Sequence, residues 1–301
     1  MIQRWISACA LLVFSSTAWA ISPYIQGDAL AGGSVQSVAS AVEAKLKDNG
    51  FKVVGKYFPK NLAGSGVVVV TDDAMLKEVG SVGGNAVLGA AIRVGVKADG
   101  SVSYTNPDYW YRAYFRKSFD KKEGAVKALQ ARLQDALGAG KGVGGDESEA
   151  NLANYRYMIG MERLDSHKNK LVEYNSFAEA LKTVRENLAK GLGNTAKIYE
   201  IVLPDRKLAV FGVAMSDGDN SDGEWLKRID MQNFVAGLPY EIYINDNQVE
   251  SPHARFRIAL AFPDVGMGQF MRISSLPTAV LETMNGLAGV DKKSEGEGWQ
   301  Q

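Results

Sequence analysis

Residues 215–225 read MSDGDNSDGEW, with Asp217, Asp219, Asn220, Asp222 and Glu224 gathered around two glycines. Oxygen-rich side chains at this density are what a hard cation such as calcium selects. An EF-hand loop needs oxygen ligands at positions 1, 3 and 5, glycine at 6 and a bidentate Glu at 12. Counting from Asp217 puts Asp222 at the glycine position and Arg228 at the twelfth. Counting from Gly218 places Asn220, Asp222 and Gly223 correctly but offers no ligand at either end. Neither register is complete. The plainer reading is an acidic turn after the strand-like run KLAVFGVAM, since Asp, Asn and Gly tolerate turn geometry. A weak, irregular metal site would use Asp217, Asp219 and Asp222.

A second stretch, YTNPDYWYRAYF, holds Tyr104, Tyr109, Trp110, Tyr111, Tyr114 and Phe115 interleaved with Arg112. Rings of this kind stack on flat ligands, and an arginine fork receives an anion. Its counterpart later in the chain is HARFRIALAF, with Phe256 and Arg257. The expected ligand site is therefore Tyr109, Trp110, Tyr111, Arg112, Phe256 and Arg257, with Arg257 matched to Arg112. The alternative is core packing, with arginines covering the edge.

Other chemistry is absent or incomplete. His167 and His253 stand far apart, with no cysteine near either. Ser118-x-x-Lys121 lacks the companion elements of the acyl enzymes that share it. There is no nucleophile elbow, no zinc-binding helix pair and no dinucleotide fingerprint. No cofactor and no catalytic residue is expected, although an enzyme without a known motif stays an alternative. Lys141 in GAGKGVGG suggests a phosphate loop, but no glycine stands five places before Gly140, and neither Gly142 nor Val143 is Ser or Thr.

The ends of the chain bear on location. Arg4, an apolar run from Ile6 to Phe14 and the Ala18-Trp19-Ala20 site read as a signal peptide over 1–20, with cleavage before Ile21. Cys9 lies inside the apolar run, where a lipid-modified cysteine would follow it. The run is also too short for a membrane anchor. The expected location is periplasmic or secreted. Cys9 is the sole cysteine, so thiol chemistry and thiolate metal sites are excluded from the mature chain. Basic and acidic residues balance at 34 each, which provides no broad field for nucleic acid or anionic membrane.

The elements that must carry these residues appear twice in the same order. In 21–137, Val35, Val38, Ala39, Val42 and Leu46 fall at helical spacing, stopped by Gly50. Strands follow at Phe51–Phe58 and Gly66–Asp72, then a hairpin over Ala91–Asn106 turning at Asp99-Gly100. A helix capped by Asp120 presents Val126, Leu129, Leu133 and Leu137. In 151–290, Ser176 caps a helix with Phe177, Leu181, Val184 and Leu188. Strands come at Ala196–Pro204 and Lys207–Met215, a hairpin at Tyr240–Glu250, and a last helix from Pro277 with Val280, Leu281, Met284 and Leu287. Residues 138–150 read as a glycine-rich linker, the most open part of the backbone, and 291–301 as a disordered tail. The fold expected is α+β, in two related domains, each an antiparallel sheet covered by helices, arising by internal duplication.

AVEAKLKDNGFKVVGKY followed by VVVVTDD and AAIRVGVKADGSVSYTNPDYWYRAYF resembles the bacterial family of domain of unknown function 302. VFGVAMSDGD, GLPYEIYIND and ARFRIALAFPD resemble the other half of exported tandem proteins related to it. The resemblance implies a compact α+β domain and brings no activity or active-site residues. The function expected is an exported accessory or binding protein whose partner is a small, partly apolar molecule or a periplasmic protein. A calcium-stabilised structural protein is a further alternative.

Overall fold

The computed structural model describes residues 20–290; all but the last residue of the signal peptide read over 1–20, and the tail at 291–301, lie outside them. The first half runs β1 (Ala20–Ile21), β2 (Tyr24–Gln26), α1 (Val35–Asp48), β3 (Lys52–Tyr57), β4 (Ser65–Thr71) and α2 (Asp73–Val82). It continues through β5 (Ile92–Lys97), β6 (Val102–Thr105), α3 (Pro107–Phe115), α4 (Glu123–Leu137) and β7 (Gly142–Val143). The second half runs β8 (Glu147–Ser148), α5 (Glu149–Leu152), β9 (Lys170–Glu173), α6 (Phe177–Ala189), β10 (Thr195–Leu203), β11 (Leu208–Met215) and α7 (Asp222–Arg228). It ends with β12 (Tyr240–Asn245), β13 (Gln248–Glu250), α8 (Ala254–Ala261), α9 (Met267–Met271) and α10 (Leu276–Ala288). The chain is a mixed α+β protein with antiparallel sheets covered by helices.

The two sheets are built to one plan. Strand order is β3-β4-β5-β6-β2-β7 in one and β10-β11-β12-β13-β9 in the other. Val69 pairs with Gly55 and Arg93, as Gly212 pairs with Tyr199 and Glu241. A bulge interrupts each edge strand just before that residue, between Val53 and Gly55 and between Lys197 and Tyr199. The bulges meet across the seam, where a Cβ at Gly55 would stand 2.3 Å from the Ile198 carbonyl oxygen. Bulges bend and twist an edge, so meeting bulges let two strongly twisted edges approach closely.

The expected helix faces are largely those that pack. Val35, Val38, Ala39, Val42 and Leu46 are buried on α1, which Ser34 caps, and Gly50 ends the turn at φ +82°. On α4 the buried face includes Val126, Leu129, Leu133 and Leu137, but Asp120 does not cap it. Residues 116–121 form a 3-10 turn, and α4 begins after Lys122 with no side-chain cap. On α10, Val280, Met284 and Leu287 are buried and Leu281 is exposed, because the face follows the 280–284–287 diagonal.

One expectation about organisation is overturned. Residues 138–150 are not a free linker. Gln26 and Lys141 bond backbone to backbone, Gly142–Val143 pairs with β2, and Glu147–Ser148 pairs with β1. Glycine is required there by proximity: a Cβ at Gly140 would lie 2.2 Å from the Gln26 carbonyl, and one at Gly144 would lie 2.6 Å from the Tyr24 ring. The buried residues of the two halves form one continuous core. The turn at 84–90 lies on β11 and β12, and that at 235–237 lies reciprocally on β4, β5 and β6.

Candidate functional site

The aromatic run folds as α3, and its faces are spent on the interior. Asn106 caps the helix and Pro107 supplies its first turn. The Tyr109 hydroxyl donates to Leu260 O at 2.8 Å, Tyr111 donates to Gly89 O at 2.6 Å, and Trp110 Nε1 donates to Pro23 O at 2.8 Å. Phe256 is buried edge-on to Tyr155 with centroids 6.0 Å apart. Arg112 is partly exposed and lies over Phe119 at 4.3 Å. It pairs with Asp108 at 3.0 Å and with Glu149 at 3.2 Å. The six expected ligand residues do not line a common cavity.

Arg257 is different. It is buried on α8, with Nε donating to Glu241 Oε2 at 2.7 Å and Nη2 to Glu241 Oε1 at 3.0 Å and Gly237 O at 2.9 Å. Arg93 from β5 donates to the same Glu241 carboxylate. Both guanidinium groups lie on Trp110, with Cζ 4.8 Å and 5.2 Å from its ring. Burial alone would depress both arginines, but the Glu241 charge raises them above the ordinary value, so both stay cationic. The expected match of Arg257 to Arg112 is corrected by helix position. Arg257 is fourth after its cap His253, as Trp110 is fourth after Asn106. Arg93 and Glu241 likewise hold equivalent places in β5 and β12, so two equivalent pairs close on one another across the seam.

The acidic loop divides rather than converges. Asp222 is fully buried: its Oδ2 accepts from Tyr57 Oη at 2.7 Å and Met215 N at 2.9 Å, and its Oδ1 from Trp225 Nε1 at 3.2 Å. Burial holds its carboxyl up to about 6, against the lowering pull of those donors. Asp219 pairs with Arg228 at 2.6 Å, and Asp217 accepts from Asn194 Nδ2 at 3.2 Å. The three aspartates therefore share no ion site. Among the described residues no group of three or more His, Cys, Asp and Glu could hold a metal.

The loop does, however, form one wall of a cleft of about 340 Å³ between the end of β11, the turn at 193–194 and α10. Met215, Leu276, Ala279 and Val280 give it an apolar lining, and Asn194, Asp217, Asn220, Glu282 and Thr283 add polar groups. Two carboxylates and no basic side chain line it. The first half shows why it is open. There Asp72, the register equivalent of Met215, caps α2 and pairs with Arg132 of α4, while Lys122 pairs with Glu78 at 2.5 Å. These bonds draw α2 onto α4. In the second half α7 leans instead on the first half, where a Cβ at Gly223 would stand 2.7 Å from the Asn61 carbonyl carbon.

Comparison with known proteins is negative at every level: no family model, curated protein or solved structure matches this chain.

Sequence reasoning singled out Asp217 and Asn220 within their loop, but missed the α10 wall and the pairing of Arg93 with Glu241. A signal for the pair was present. Each is a lone charge in an apolar strand, in AIRVGV and PYEIYI. Such a charge is tolerated in a core only when paired.

Proposed function

We propose that this chain is an exported accessory or binding protein whose cleft at α10 receives a small, partly apolar, cationic molecule. One observation carries the reading. The cleft holds about 340 Å³, its lining is apolar with amide and hydroxyl groups, and its charged groups are Asp217 and Glu282 alone. Pockets near this size with a few convergent polar groups suit small ligands. The sign of the charge reverses the arginine-anchored anion expected from α3 and α8. Location outside the cytoplasm rests on the leader over 1–20. Among the described residues no helix is long and apolar enough to cross a membrane. Descent of both halves from one unit is supported by their shared strand order, bulge position and helix caps. A relation to the family of domain of unknown function 302 rests on the quoted stretches.

The test is calorimetric titration with phenethylammonium and with 3-phenylpropionate, which match in shape and differ in charge. The amine binds and the acid does not. Ala279→Trp fills the cleft and abolishes binding with the fold intact. Asp217→Asn and Glu282→Gln each weaken binding about threefold, as partly screened charges do. Equal binding of both probes, or binding that survives Ala279→Trp, refutes the assignment.

A further inference from the structure

The buried cluster at the seam holds two guanidinium groups against one carboxylate. Glu241 meets both Arg93 and Arg257, which leaves one positive charge without a directly contacting counter-charge. The next carboxylate whose field reaches Arg257 is Asp222, but it bonds to Tyr57, Met215 and Trp225 and to neither arginine. An uncompensated charge in the interior is costly, and a paired, hydrogen-bonded one is not.

Hydrogen-bond accounting points to the same place. Among the described residues, five buried side-chain polar atoms find no partner, and three belong to this cluster: Arg93 Nε and the hydroxyls of Tyr114 and Tyr199. Arg93 Nε–H is a pure donor, and each tyrosine O–H seeks an acceptor. Tyr114 lies close enough to Arg93 for the arginine charge to oppose the effect of burial on its hydroxyl.

Two of these residues, Arg93 and Tyr114, line a cavity of about 10 Å³ together with Gly89, Thr105, Trp110 and Tyr111 among others; Tyr199 does not line it. That is room for one species of about the size of a water molecule. The remaining polar groups around it are already engaged. Tyr111 donates to Gly89 O, Thr105 Oγ1 accepts from Arg93 N, and Trp110 Nε1 donates to Pro23 O. No carboxylate lines the cavity. The site thus offers donors, the positive charge of Arg93 and an aromatic wall, and its only acceptors are uncharged hydroxyl and carbonyl oxygens. Water would satisfy the donors but leave the charge uncompensated.

We propose that this cavity binds a small monovalent anion of halide size, held by Arg93 Nε–H and the Tyr114 hydroxyl, as a counter-ion at the seam between the two halves.

Thermal unfolding of the whole protein in sodium chloride and in sodium gluconate at equal ionic strength tests this. Chloride raises the midpoint by about 2 °C or more over gluconate. Iodide, too large for the cavity, raises it less than chloride does. Tyr114→Phe removes a hydroxyl whose O–H finds no acceptor within the fold and whose near neighbour is the donor-only Arg93, so the variant stays folded and loses the chloride increment. Crystals grown in bromide give an anomalous peak between Arg93 and Tyr114, a readout that does not depend on the variant. Equal wild-type midpoints in chloride and gluconate, an unchanged increment in Tyr114→Phe, or bromide peaks confined to the surface overturn the proposal in favour of a buried water.

Discussion

Replacing Asp222 by Asn should flatten one component of the protein's pH-dependent stability. The folded carboxyl titrates near 6 because burial opposes its charge, whereas the ordinary aspartate value is 3.8. The folded state therefore holds the proton more tightly than the unfolded state does. Stability from this group is full below about 3.8 and is lost as pH rises through about 6. The gap is worth about 3 kcal/mol over the whole titration, and about 2 kcal/mol of it falls between pH ~4.5 and pH ~7.5. Asparagine does not titrate, so it removes this slope. It also turns an NH2 toward one of two obligate donors, Met215 N or Trp225 Nε1, which sit on different carboxylate oxygens. That costs about 1–3 kcal/mol at every pH. Urea unfolding of both proteins at the two pH values isolates the effect, because carboxylates lowered by ion pairs, such as Glu43 and Asp165, cancel between wild type and variant. The expected result is that wild type loses about 2 kcal/mol more than Asp222→Asn between pH ~4.5 and pH ~7.5. Parallel pH profiles would falsify the assignment of a proton-holding, buried Asp222.

The two arginines offered by the sequence should separate cleanly. Arg257→Met leaves Glu241 paired with Arg93 alone and strips Gly237 O of its donor, which costs about 1–3 kcal/mol in chemical unfolding, while Arg112→Lys, on a partly exposed pair, changes stability by less than about 1 kcal/mol; a larger loss for Arg112→Lys than for Arg257→Met would contradict the burial difference. Limited proteolysis should spare 138–149, which is paired into the first sheet, and cut first around Met158–Met161, where Ile159 is 95% exposed. First cleavage within 138–149, read by intact mass of the fragments, is the contrary outcome.

What the chain declares locally, it declares well. Helical spacing in 35–46 and 126–137 identified the buried faces of α1 and α4, and Asp99-Gly100 marked a turn that does close a hairpin, as does the one within Tyr240–Glu250. These features depend on periodicity and turn chemistry within a few residues, and a single sequence carries both. The α+β class follows from them. The glycine run read oppositely, because glycine has two uses that look alike in sequence. It loosens a backbone that nothing touches, and it admits a backbone that something touches closely. Only the approach of β2 distinguishes the two at Gly140 and Gly144.

The candidate site was legible only in part for the same reason. Asp217 and Asn220 stood out by composition, but the cleft exists because α10 faces them and α7 leans away, through contacts between residues far apart in the chain. Asp222 looked like its acidic neighbours until burial under Tyr57 and Trp225 gave it another role. Arg112 and Arg257 looked interchangeable in their aromatic surroundings. Residue types and local order came from the sequence alone. Whether a charge meets solvent, a ligand or another charge was decided by the packing of one half on the other, because desolvation and pairing depend on the three-dimensional neighbourhood.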